Sequence, residues 1–63
     1  MHFYMIRNNK GYYSEHGIYY WGEQEDGERW TNLSTVQAKL INIKQRWVEQ
    51  QIEIVKFELK EKL

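Results

Sequence analysis

All four glycines of this 63-residue chain fall between residues 11 and 27, and there is no proline anywhere. Three of those glycines close a polar tetrad: Asn8-Asn9-Lys10-Gly11, Ser14-Glu15-His16-Gly17 and Gln24-Glu25-Asp26-Gly27. A type I turn followed by a residue of positive φ asks for that order, because glycine enters the left-handed region without a Cβ clash. Asp26-Gly27 also suits a tighter two-residue turn. Reversals this closely spaced leave only short segments between them, which are strands and not helices. After Gly27 no glycine or proline interrupts the chain.

The segments between the tetrads are His2–Arg7, Tyr12-Tyr13, Ile18–Trp21 running toward Gln24, and Glu28–Thr31. All are rich in aromatic and β-branched residues, which suit a pleated, half-buried surface. The prediction is a β-meander whose second piece is short enough to be a bridge. A helix follows. Ser34 with Gln37 three residues later reads as a capping box, and Leu33 is placed to pack on Ala38 as a hydrophobic staple. Val36, Leu40, Ile43 and Trp47 then recur at spacings of four, three and four, one continuous apolar stripe.

Two readings compete for the last residues. A single helix over 35–63 spans ~44 Å at 1.5 Å per residue. It presents a second stripe, Ile41, Val48, Ile52, Val55 and Leu59, of the kind that pairs helices in a dimeric coiled coil. A strand fits better, because Val55-Lys-Phe-Glu-Leu-Lys60 alternates apolar and polar without a break. A helix also strands Ile54 and Phe57 opposite the stripe. The helix is therefore predicted to end near Trp47–Gln50. The fold class is α+β, a single small domain over 1–63: an antiparallel β-meander, one α-helix packed on one face, and a C-terminal strand returning to the sheet.

A chain this short buries only ~60% of the surface its unfolded form exposes. With no cysteine it has no disulfides to compensate, which fits a reducing compartment. Ten aromatic residues (three Trp, five Tyr and two Phe), or a second subunit, must supply the stability. The opening MHFYMIRNN has no signal-peptide pattern, and no run nears the ~20 apolar residues that cross a bilayer. The expectation is a cytoplasmic protein without a membrane partner, for which the acceptor triplet Asn32-Leu33-Ser34 carries no glycan. Net charge is zero but unevenly laid out. Residues 15–28 hold Glu15, Glu23, Glu25, Asp26 and Glu28 without a Lys or Arg, whereas 29–48 hold Arg29, Lys39, Lys44 and Arg46 without an acid. Either two solvated faces attract each other, or the molecule carries a polarised binding surface.

Tyr4-Met-Ile-Arg-Asn-Asn-Lys-Gly-Tyr-Tyr13 at the start, a tryptophan entering a capped helix, and Glu53-Ile-Val-Lys-Phe-Glu-Leu-Lys-Glu61 at the close give an order of elements over most of the chain. In that order it resembles small accessory proteins of bacteriophages and mobile elements. Several such proteins bind and block a host enzyme, including CRISPR effectors and other defence or repair enzymes. The resemblance implies a cytoplasmic inhibitor or adaptor in an infected bacterium, and no catalytic motif comes with it.

The residues themselves offer little chemistry. His2 and His16 lie far apart with no metal-ligand spacing. Ser14-Glu15-His16 has the letters of a nucleophilic triad, but adjacent residues cannot let the base reach the nucleophile while a third group orients the base. There is no glycine-rich phosphate cradle, and a chain this small is not expected to form a substrate pocket of ~300 Å³. No enzyme, metal or cofactor is predicted.

The stretch YYSEHGIYYW over 12–21 points elsewhere. Neighbours in a strand face opposite sides, so Ile18 and Tyr20 oppose Tyr19 and Trp21, and Phe3 and Met5 oppose Tyr4 and Ile6. One helix covers one face, which leaves aromatics on the other for a partner. The predicted partner-binding residues are Tyr12, Tyr19 and Trp21 as anchors, with Glu23, Glu25, Asp26 and Glu28 as an acidic hairpin tip that orients a basic partner. A host protein is the first occupant. Single-stranded nucleic acid is the alternative, with bases stacked on the sheet and phosphates held by Arg29, Lys39 and Arg46. Neutral total charge and the acidic segment count against it. A second copy of the chain, as a homodimer, is the third.

Overall fold

The computed structural model describes residues 2–15, 20–48 and 50–58. A four-stranded antiparallel sheet is built from β1 (His2–Asn8), β2 (Gly11–Tyr13), β3 (Trp21–Gly22) and β4 (Glu53–Glu58), in the order β3-β2-β1-β4. The one α-helix among the described residues, α1 (Leu33–Arg46), packs on one face. This is the α+β arrangement read from the sequence, with the C-terminal strand returning to pair with the first.

β1 is the spine of the sheet. β4 pairs with it from His2↔Glu58 to Arg7↔Glu53. On its other side β2 meets only its end, at Arg7↔Tyr12 and Asn8↔Gly11. The β1–β2 reversal behaves as the first tetrad predicts. Asn8 Oδ1 accepts from the Lys10 and Gly11 backbone N–H groups at 2.8 and 3.1 Å, and Gly11 takes φ +148°.

The other tetrads differ. His16, Gly17, Ile18 and Tyr19 lie outside the described residues, so the second reversal does too. Gln24–Asp26 forms a 3₁₀ turn, not the expected hairpin, and Gly27 has φ −74° and not a positive angle. Glu28–Thr31, read as a strand, contributes one bridge, where Tyr4 and Trp30 exchange N–H···O bonds of 2.7 and 2.9 Å. The cause is the path of the chain. Glu28 N–H donates to the Tyr13 carbonyl at 2.9 Å, and the helix cap begins at Asn32, so only Trp30 aligns with β1.

α1 starts two residues earlier than the capping box implies. Asn32, at φ −108° and ψ 120°, is the N-cap. Its Oδ1 accepts from Ser34 N at 2.9 Å, Thr35 N at 3.3 Å and the Ser34 hydroxyl at 2.6 Å. The Ser34 hydroxyl therefore donates to the cap instead of forming it. Leu33, 44% exposed, does not bury as a staple. Asn32→Ala is expected to cost about 1 kcal/mol, and Ser34→Ala clearly less. Denaturant melts of the two variants check the order.

The stripe is as read: Val36 and Ile43 are buried, and Leu40 and Trp47 pack against them. Trp47 ends the helix, donating its N–H to the Ile43 carbonyl at 3.0 Å, while Lys44 and Arg46 sit in the last turn, where cations suit the helix dipole. The strand reading of the C-terminal segment holds for Glu53–Glu58, and 59–63 lie outside the described residues.

Candidate protein-binding face

Strand alternation divides the rings between two sides. Toward the helix, Tyr4, Ile6, Tyr13, Val36, Ile43 and Ile52 form the buried cluster, and Trp30 and Ile54 pack against it. At one end four rings close on one another. Trp47 meets Trp21 at 5.4 Å, Tyr20 at 5.4 Å and Tyr13 at 6.1 Å, all edge to face. Burial, with the nearby charge of Glu28 adding to it, pushes the Tyr13 phenol above its ordinary pKa. Its hydroxyl stays protonated and donates to Glu15 Oε1 at 3.3 Å.

The opposite side carries Phe3, Met5 and Arg7 from β1, Tyr12 from β2, and Glu53, Val55 and Phe57 from β4. The register places Phe3 beside Phe57, Met5 beside Val55 and Arg7 beside Glu53. Phe3 and Phe57 stack at 5.1 Å, and Tyr12 lies 6.3 Å from Phe57. Arg29 covers the Phe3 ring at 4.9 Å. Arg7 Nε donates to Glu53 Oε1 at 2.7 Å, and that hydrogen bond raises the guanidinium above its ordinary pKa.

The chain does cover part of this second face, contrary to the sequence reading. Met5 points away from the helix yet is 0% exposed. The turn Gln24–Gly27 lies over it so closely that a Cβ on Gly27 would stand 2.5 Å from Met5 Cε and 2.9 Å from Tyr12 Cβ. Glycine is required there for close approach, not for its φ. Phe3, Tyr12, Val55 and Phe57 stay half-buried around the covered methionine.

The predicted partner-binding residues are divided by this geometry. Tyr12 lies on the half-covered face. Trp21 lies on the helix side, packed between Tyr13 and Trp47, with its Nε1–H buried and without an acceptor among the described residues. Tyr19 is outside the described residues. Glu23, Glu25 and Asp26 are exposed and Glu28 half-buried. They ride on the turn that covers Met5 and its continuation, not on a projecting hairpin tip. Phe3, Val55 and Phe57 were not singled out. Their signal was the alternation in both outer strands, but the register that stacks Phe3 on Phe57 is not written in either segment alone.

The three cations of the nucleic-acid reading already have partners. Lys39 pairs with Glu15, and Arg29 covers Phe3. Arg46 donates to the Tyr20 hydroxyl at 3.1 Å and lies 4.4 and 4.9 Å from the Tyr20 and Trp47 rings. Among the described residues no three of His, Cys, Asp and Glu gather as a metal site. No helix there is long and apolar enough to cross a membrane. The expectation that no sizeable concavity forms is corrected by an open cleft of about 820 Å³ between the β1–β2 reversal and the α1–β4 connection. No protein-family model matches the chain, and neither does any curated protein or solved structure.

Proposed function

We propose that this is a non-catalytic protein-binding module, an inhibitor of a bacterial host enzyme of the kind phages direct against defence systems. The observation that carries the binding role is the half-covered aromatic face, with Phe3, Tyr12, Val55 and Phe57 beside a turn bearing Glu23, Glu25 and Asp26. Aromatic rings in a partly desolvated patch give large contact area at low entropic cost, and carboxylates at the rim steer toward a basic surface such as a nucleic-acid channel. The inhibitory role and the phage context rest on the resemblance in the order of elements. A partner displaces little of the protein's own structure, because the rings are already stacked in register.

The test is an affinity capture from nuclease-treated bacterial lysate, read by mass spectrometry, with binding rates measured on the captured enzyme. Reversing Glu23, Glu25 and Asp26 to lysine is expected to slow association about tenfold or more at low salt while changing dissociation little. Phe57→Ala is expected to speed dissociation, at a cost of about 2 kcal/mol. An association rate indifferent to the charge reversal removes the steering role. An enzyme captured equally by the Phe57→Ala variant moves the site off this face.

A further inference from the structure

An open cleft among the described residues adjoins the proposed binding face and shares Tyr12 with it. It lies where the Asn8–Gly11 reversal meets the chain leaving α1 for β4. Its walls are tied together, since Asn8 Nδ2 donates to Gln50 Oε1 at 2.6 Å. The same Asn8 holds the turn that carries Lys10 through its Oδ1. Among the described residues three cations line the cleft, Arg7, Lys10 and Lys44, against one acid, Glu53. Arg7 is compensated by Glu53. Lys10 and Lys44 form no ion pair among the described residues, whereas Lys39 and Lys56 each have a carboxylate partner. The cleft of a neutral protein thus presents two ammonium groups with no ion-pair partner among the described residues, one from a hairpin and one from the last turn of a helix.

We infer that this cleft binds a small phosphomonoester through its dianionic phosphate. Two ammonium groups match the charge of about −2 that a phosphate monoester carries at neutral pH. Lysine serves phosphate as a compact point charge, and the side-chain amides of Asn9 and Gln51 in the same lining supply neutral donors. Tyr12, also in the lining and only half-buried, offers apolar surface to the body of the ligand. The site borders the second face of the sheet at Arg7, Tyr12 and Glu53, but Lys10 and Lys44 take no part in the proposed partner-binding function, so either stands if the other fails.

The test is an amide NMR titration with glycerol phosphate and with inorganic phosphate, at constant ionic strength in chloride. Saturable shifts are expected at Lys10, Gly11, Gln51 and Ile52 with glycerol phosphate at pH 7.5. Affinity should fall about tenfold at pH 5, because the second phosphate ionisation lies near pH 6. The K10Q/K44Q double variant should lose at least about tenfold, and K39Q, whose lysine lies elsewhere, should lose nothing. Tighter binding of the ester than of inorganic phosphate supports the assignment, while equal or weaker binding of the ester overturns it. Shifts that never saturate, or that persist in the double variant, overturn the site as well.

Discussion

Trp47→Ala is expected to lower the melting temperature by roughly 12–24 °C, the largest change from any single truncation outside the fully buried core. The indole joins three elements: it terminates α1, meets Trp21 of β3 and Tyr13 of β2, and also contacts Tyr20. Truncating a buried tryptophan costs about 3–5 kcal/mol. Trp47 is half-buried, which places it at the lower end. A 63-residue domain has a total stability of roughly 3–9 kcal/mol, so a loss of about 3 kcal/mol is a large share of it. In a domain of this size each kcal/mol moves the midpoint by about 4–8 °C. Arg46 also loses one of the two rings it covers. Trp47→Phe should recover part of the loss, because a smaller ring still meets Tyr13 and Trp21 edge to face. Ile41→Ala is the control on the same helix: at 61% exposed it should stay within about 0.5 kcal/mol of the parent. Thermal melts by circular dichroism decide the matter. A Trp47→Ala midpoint within a few degrees of the parent would mean that the aromatic cluster does not close the helix onto the sheet.

The elements that could be read from the sequence are those whose signal is periodic and local. The α1 stripe and the alternation of β4 each repeat over several residues, and burial follows both: Val36 and Ile43 go inward, and Ile54 and Val55 take opposite faces. The misreadings fall where one contact from elsewhere decides. Asn32 caps the helix in place of Ser34 because the chain reaches residue 32 already extended after the Tyr4–Trp30 bridge. Gly27 looks like a turn glycine in the sequence, yet its reason is the Met5 side chain beneath it, more than twenty residues away. That same contact folds the acidic segment back over the sheet. The proposed binding face is accordingly smaller than the sequence implies, and it passes from Trp21 to the Phe3–Phe57 stack.

The glycines allow the same distinction to be tested by substitution. Gly11→Ala is expected to cost about 3 kcal/mol or more, because two penalties coincide there. Its φ of +148° is outside what an alanine adopts without strain of about 1–3 kcal/mol. The new Cβ would also stand 2.4 Å from the Gly22 carbonyl oxygen. That atom is backbone in the neighbouring strand, so relief means parting β3 from β2 at the Tyr12↔Gly22 pair. Overpacking of this kind adds about 1–3 kcal/mol. Gly22→Ala, on the other side of the same pair, meets nothing within 4 Å and has no positive φ. It should be neutral, or stabilising by about 0.4–1 kcal/mol through the unfolded chain. Gly27→Ala falls between, since the Met5 methyl can swing aside but Tyr12 Cβ cannot. The three melts are predicted in the order Gly11→Ala lowest, then Gly27→Ala, then Gly22→Ala. Equal midpoints for the variants at 11 and 22 would contradict the pairing of β2 with β3. Gly27→Ala also separates fold from function. A chain that still folds while its acidic turn is lifted from Met5 should associate more slowly with the proposed partner, although no residue of the aromatic stack has changed.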